Sequence, residues 1–324
     1  MIPVTIEGGP KLARTVICFD ISNSGGERAE NTSVVSVGSF NRSRQSVPFT
    51  RTVLYSYLAG ATMPTNRVRN GVKTTERSFA LVEYIQRHDG ATLSELVAEL
   101  GLAKSTVYKH LVTLQSHGYL EKEGKNYYVG LKFHHHGEYA RLRKRGYRLA
   151  GRAVRDLAEW TNEEADFVVE NDGRTITIYE SYHPQNSYRG EFGGSDLSRS
   201  GTYYDMHCTA GGKALLAANS RARVEAVLDR HGLARCAENT ITDRETLFED
   251  LARTRERGYA IADEEYADGL CAVGVAVSNP DGSPLGALGM SVPTYRRGDD
   301  DFETEAELII ETARDLEAEL AQQD

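Results

Sequence analysis

Residues 74–129 hold three short apolar stripes of helical period, parted by glycine turns and closed by a tight hairpin, and no other stretch narrows the fold as much. In the first, Thr74 or Thr75 is placed to cap a helix with Glu76 in its opening turn. Phe79, Val82 and Ile85, flanked by Leu81, form its apolar side, and Asp89-Gly90 stops it. Thr92 then stands three residues before Glu95, the spacing of a reciprocal cap at a helix start. Leu93, Leu96, Val97 and Leu100 make the inner side of this second helix, and Gly101 supplies the turn that swings the chain across it. A third helix runs from about Lys104 to His117 with Val107, Leu111 and Leu114 inward. Its opposite face carries Ser105, Lys109, Val112 and Ser116, with Thr106 and Tyr108 on the flanks. Residues 119–122 and 126–129 read as two strands joined across Glu123-Gly124-Lys125.

Three helices and a hairpin in that order make a winged helix-turn-helix, whose third helix can enter the major groove of double-stranded DNA with its first residues against base edges. Ser105 and Thr106 have short hydroxyls that allow close approach, and Lys109 can reach guanine acceptors or the backbone. Tyr108 can cover a thymine methyl or bond a phosphate. Lys104 and Thr113 on the same helix, with Lys122 and Lys125 in the wing, complete the candidate contact set. The competing reading is a winged domain that only meets other proteins.

The charge distribution bears on that choice. The whole chain carries −9, an awkward balance for a DNA binder, yet residues 153–324 alone hold 16 basic against 35 acidic side chains. Residues 73–130 are balanced at seven of each sign, and residues 131–152 hold seven Lys/Arg against Glu138 alone. The acidity therefore belongs to the back half. An acidic surplus with arginine far outnumbering lysine resembles proteins of salt-loving organisms, where acidic surfaces keep proteins dissolved. In concentrated salt counterion release is weak, so DNA affinity would lean on base contacts and shape.

At 324 residues the chain is long enough for two cores. No apolar run reaches the roughly 18–20 residues needed to cross a bilayer, and the N-terminus lacks a secretory signal, which places the expected location in the cytoplasm. Residues 1–62 break in composition from the rest, and we expect a poorly structured extension, with Met63 as the natural start and a short basic arm from Pro64 to Arg69. The winged domain is bounded at 73–130 and a basic linker helix at 131–150. The second domain, at 151–322, begins with an amphipathic pattern through Val154–Trp160. There, Asp166–Glu170 and Thr175–Tyr182 flank the turn Asn171-Asp172-Gly173. Helical text follows at 209–219, 221–231 and 243–257, strand text at 259–263, 271–278 and 286–292, and a last helix turns Phe302, Ala306, Ile309, Ala313, Leu316 and Leu320 inward. The fold class is thus two-domain: a mainly α winged helix-turn-helix, then an α+β domain with a largely antiparallel sheet.

Several motifs invite chemistry and lose it on geometry. Cys18, Cys208, Cys236 and Cys271 show no CxxC pair, which argues against a disulfide framework or a structural zinc site. His134, His135 and His136 splay about 100° apart on a helix and cannot chelate one ion together. Asp263, Glu264 and Glu265 point apart on extended chain, so they are poor acid–base partners. No metal or cofactor is expected. Thr209-Ala210-Gly211-Gly212 opens a helix whose free N–H groups could hold a carboxylate or phosphate, or its small residues could simply permit close helix–sheet packing. His207 could orient that loop or merely pack. An enzyme using Cys208 as nucleophile beside His207 is the rival of a different class, and it lacks a visible orienting acid.

The stretches Thr92–Leu96, Gly101–Lys109 and Gly118–Leu120 resemble the DNA-binding domain of IclR-type regulators. Met206–Ala217, Arg257–Tyr266 with Gly269-Leu270, and Pro280–Pro293 are similar to that family's effector domain, so the resemblance runs in order over about residues 74–320. It implies a GAF-like sensor that binds a small metabolite, and no catalysis. It also implies homodimers, often paired into tetramers, on a pseudo-palindromic operator. A second domain that only oligomerises is the alternative. On this resemblance His207, Thr209, Ala210, Gly211, Asp263 and Ser291 are the candidate effector contacts. The family's polar set is incomplete here: Ala262 stands for an acid, Ala272 for a cysteine and Gly289 for a serine, and only Ser291 matches. Cys271 is shifted by one and faces the other side of its strand. A less polar or larger effector than a small oxo-acid is expected.

Overall fold

The computed structural model describes residues 71–183, 199–297 and 302–322. The expected extension at 1–62, the start at Met63 and the basic arm lie outside the described residues.

The N-terminal part begins with α1 (Lys73–Arg87), a short strand β1 (Ala91–Thr92), α2 (Leu93–Leu100) and α3 (Lys104–Ser116). The wing is β2 (Leu120–Glu123) and β3 (Asn126–Val129), and β1 joins its other side to give the antiparallel order β1-β3-β2. Leu81, Ile85, Leu96, Val107, Leu111 and Leu120 fill one small core. Two details differ from expectation. Helix α1 is capped by Val72 without a side-chain bond, so Thr74 and Thr75 fall inside its first turn. Phe79 is exposed and Leu81 takes its place in the core, because the helix is rotated to seat Leu81, Val82 and Ile85 together. At α2 the reciprocal cap forms: the Thr92 N–H donates to Glu95 Oε2 at 2.7 Å, and the Glu95 N–H donates to Thr92 Oγ1 at 3.3 Å. Gly101 follows with φ 59°, a left-handed turn that favours glycine.

The basic stretch after the wing is two helices, not one. Helix α4 (Lys132–Leu142) ends before Lys144, which has φ −90° and ψ 131°, and α5 (Arg145–Thr161) starts anew. Helix α4 contains no buried residue, whereas α5 buries Gly146, Ala150, Gly151, Val154, Leu157 and Ala158. The boundary expected at 150 therefore falls inside α5.

The C-terminal part follows as β4 (Glu164–Asn171), β5 (Arg174–Tyr182), β6 (Tyr203–Asp205), a single 3-10 turn at Met206–Cys208, α6 (Ala210–Ala217), α7 (Arg221–His231) and α8 (Arg244–Arg257). It closes with β7 (Ala260–Asp263), β8 (Leu270–Ser278), β9 (Pro284–Pro293) and α9 (Glu303–Ala321). The six strands form one antiparallel sheet in the order β6-β5-β4-β9-β8-β7. Strand alternation divides the sheet cleanly. Phe167, Val169, Val273, Val275, Leu288 and Met290 pack with α5 and α9 on one face. Val168 and Ala287, with Ala260, pack with α6, α7 and α8 on the other. Strand β6 had no sequence signal and extends the sheet edge beside β5. No helix among the described residues is long and apolar enough to cross a membrane.

Candidate functional site

The outer face of α3 is laid open by its own core. Val107 and Leu111 are fully buried, each worth about 1.5–3 kcal/mol of burial, and they pin the helix so that Lys104, Ser105, Tyr108, Lys109 and Thr113 point to solvent. Thr106 is half-buried on the flank. Thr113 donates its hydroxyl to Lys109 O at 2.9 Å, which leaves its oxygen as an acceptor. Lys122 and Lys125 are exposed in the wing, Lys122 lying over the Tyr127 ring at 5.2 Å. A contact that sequence spacing did not suggest, Ser78 Oγ to His110 Nδ1 at 2.8 Å, ties α1 to the back of α3.

A cavity of about 580 Å³, counting its open mouth, lies between the start of α6 and the sheet. Gly274 lets these elements meet: a Cβ there would fall 2.7 Å from the Ala210 carbonyl carbon and from the Gly211 nitrogen. Thr209, Ala210, Gly211 and Ser291, four of the six expected contacts, line the cavity. Thr209 Oγ1 also accepts from the Gly212 N–H at 3.2 Å and so caps α6 itself. Ala262, Ala272 and Gly289, the three positions that depart from the family pattern, line it too. The buried Lys213 ammonium holds α6 in place, 3.0 Å from Asp250 Oδ2 and 2.6 Å from Glu265 Oε1.

Two expected contacts lie elsewhere. His207 is buried in the turn before α6 and its Nε2 sits 2.8 Å from Ala234 O, outside the cavity lining. Asp263 ends β7 with its carboxylate 3.1 Å from Arg297 Nη1 and in contact with Cys271 Sγ, on the opposite face from the cavity-lining Ala262. For Asp263 the reason is strand alternation, since the cavity takes its neighbour Ala262, whereas His207 sits in the 3-10 turn before α6 and is held to Ala234 instead.

The polar chemistry of the cavity comes from residues sequence reading missed. Asp166, Thr175, Arg199, Tyr204 and Tyr266 all line it. Glu164 and Asp166 share a face of β4, where an alternating charged pattern reads as a solvent-facing strand, yet Glu164 is 3 % exposed. Arg199 Nη1 bonds Glu164 Oε1 at 2.8 Å, and the Arg199 N–H donates to Glu180 Oε1, also at 2.8 Å. Burial pushes Glu164 up against the pull of Arg199. Burial, then the Glu164 charge, pushes Asp166 up to about 7. Tyr204 and Tyr266 meet edge to face with centroids 5.3 Å apart, and burial raises both phenols, Tyr266 to about 12. The site is a desolvated, hydrogen-bonding pocket with one guanidinium, one carboxyl that titrates near neutrality and two phenols.

Among the described residues one group could offer donors to a metal. His207, Cys208 and Cys236 place their donor atoms within 4.8 Å of one another, although no spacing in the sequence hinted at it.

A winged helix-turn-helix joined to an antiparallel α+β domain with an internal polar cavity defines a transcriptional regulator with a sensor half. Residues 147–318 match the family described as "Bacterial transcriptional regulator IclR C-terminal", and residues 74–124 match the "IclR helix-turn-helix domain". The chain is 32% identical over 242 residues to the probable HTH-type transcriptional regulator ArcR of Halobacterium salinarum, covering 74% of this chain and 90% of that one. It is 30% identical over 251 residues to the HTH-type transcriptional regulator BhcR of Paracoccus denitrificans, covering 76% and 86%. The crystal structure of an IclR transcriptional regulator from Alicyclobacillus acidocaldarius superposes with a TM-score of 0.66 at 25% identity, over 78% of this chain and all of that one. The chain belongs to the IclR family of transcriptional regulators. It is a regulator with a DNA-binding helix-turn-helix and a C-terminal effector-binding domain.

Proposed function

We propose that this regulator reads its operator with the outer face of α3 and is switched by a metabolite held in the cavity beneath α6. Lys104, Ser105, Thr106, Tyr108 and Lys109 would meet the major groove, Thr113 its edge, and Lys122 and Lys125 the flanking backbone. The observation that carries this reading is the contrast on α3, where Val107 and Leu111 are fully buried while Lys109 and Tyr108 stand exposed. The effector would be larger than a two- or three-carbon oxo-acid. Ala262, Ala272 and Gly289 leave room, the Tyr204–Tyr266 pair offers an apolar wall, and Asp166, Arg199 and Ser291 offer the polar end. Thr209, Ala210 and Gly211 would close over it.

The reading assigns no catalytic role. Hydrogen bonding to Cys236 and burial push the Cys208 thiol up, the wrong direction for a nucleophile, and His207 Nε2 is turned to a carbonyl. The protein acts on DNA, so the cytoplasm is its expected place.

The functional unit is a homodimer, which can pair further. Leu131, His135, Tyr139 and Leu142 form one stripe along α4 and all are exposed, Leu131 at 77% and Tyr139 at 69%. An 11-residue helix that buries nothing of its own is marginal in water, and a second α4 would cover this stripe.

Genome-wide mapping of bound sites, followed by anisotropy titration of one mapped operator, tests the DNA reading. Lys109→Ala should bind about 1–3 kcal/mol more weakly with an unchanged melting temperature. Equal operator affinity would remove α3 from the interface.

A further inference from the structure

Cys208 and Cys236 are 28 residues apart in sequence, and their sulfur atoms lie 2.9 Å apart. Neither is in a disulfide. Closing that gap to a covalent bond of about 2.05 Å takes less than 1 Å of movement. We propose that Cys208 and Cys236 form a reversible disulfide site that locks one wall of the effector cavity.

The surroundings give the two thiols different parts. Cys208 is 1 % exposed at the end of the turn that leads into Thr209, and Cys236 is partly exposed on the segment between α7 and α8. Cys236 is the sulfur that an oxidant in solution can reach, so it is the attacking one and the buried Cys208 the resolving one. With hydrogen peroxide as two-electron oxidant, the Cys236 thiolate attacks one peroxide oxygen and the O–O bond breaks. This leaves a sulfenic acid on Cys236 and a hydroxide that takes up the proton released by the Cys236 thiol to become water. Cys208 sulfur then attacks the sulfenic sulfur, the S–S bond forms and the S–O bond breaks. The departing hydroxide takes the Cys208 proton as a second water. Two thiols have lost two protons and two electrons, and one hydrogen peroxide has been reduced to two waters.

The link would bear on ligand binding through covalent neighbours and hydrogen bonds. Cys208 is followed directly by Thr209, which caps α6 and lines the cavity. The Cys236 and Ala237 N–H groups donate to Thr240 Oγ1 at 2.9 and 2.7 Å, and that hydroxyl donates to Glu265 O at 2.7 Å. Glu265 precedes Tyr266, which lines the cavity from the other side. Cross-linking the two sulfurs thus joins both segments. Cys271 serves as the internal control: it packs on the far face of the sheet, and burial together with Asp263 pushes its thiol up to about 12.

The test uses the full chain, reduced, desalted and treated with hydrogen peroxide. Intact mass should fall by about two hydrogens, peptide mapping should show a Cys208–Cys236 cross-link with Cys271 still alkylatable, and dithiothreitol should reverse both. The oxidised protein should melt at a higher temperature than the reduced one, and Cys236→Ser should show neither change. Oxygen added to Cys236 without a cross-link, or a link between two chains, would overturn the proposal. So would protection of both thiols by added zinc ion combined with no mass loss under peroxide, an outcome that would make the cluster with His207 a metal site instead.

Discussion

Asp166 and Gly289 are cross-strand partners between β4 and β9, and the pairing explains why a carboxyl can sit in the cavity at all. A Cβ on residue 289 would collide with Asp166 Oδ1, so the position where the family pattern has serine is glycine in a chain that carries this acid. Polarity on this side of the cavity therefore comes from β4, and only the register shows it. Because burial holds Asp166 near 7, its unfolded form ionises first. Its contribution to stability is therefore complete below the ordinary carboxylate range and is lost as pH climbs through about 7. The melting temperature of the wild type minus that of Asp166→Asn should fall between pH 4 and 7.5 and level off above. A pH-independent difference in calorimetry would show that the carboxyl is ionised throughout.

At the scale of elements, the legible parts were those governed by local bonds. Thr92 and Glu95 had the spacing of a reciprocal cap, and the structure closes both bonds. Thr92→Ala should cost about 1 kcal/mol in denaturant melts of the full chain, seen in the transition of the winged domain. A loss near zero would mean that the β1–β3 pairing, not the cap, holds the start of α2. Where two choices were locally equal, the pattern misled. Thr74 and Thr75 can each cap a helix, but packing of Leu81 and Ile85 sets the cap of α1 at Val72, two residues before Thr74. Basic residues from 141 to 148 suit one continuous helix, yet Lys144 turns to extended geometry because α5 must follow the sheet with Ala150 and Val154. Helix α9 was read correctly along its whole apolar side, since a 19-residue amphipathic stripe leaves one face to bury.

In the whole molecule, charge and exposure divide the work. The acidic surplus lies in the sensor half, and the basic side chains gather on α4, on α5 and near the wing. The apolar stripe of α4 stands among them without cover from the described residues. Sedimentation velocity should find a dimer, and Leu131→Glu with Tyr139→Glu should shift it toward monomer while the sensor domain keeps its melting transition. A double variant that sediments like the wild type would place the interface elsewhere. From the sequence alone came the two-part architecture, the order of helices and strands apart from β1, β6 and the break between α4 and α5, the outer face of α3 and the family, all of which rest on short-range periodicity and motif spacing. The tertiary structure decided which polar groups line the cavity and which cysteines meet. Asp166, Arg199 and Tyr266 reach one cavity, and Cys208 reaches Cys236, only through strand register and loop closure. Residues this far apart in sequence leave no local pattern, because what joins them is the packing of a sheet against a helix.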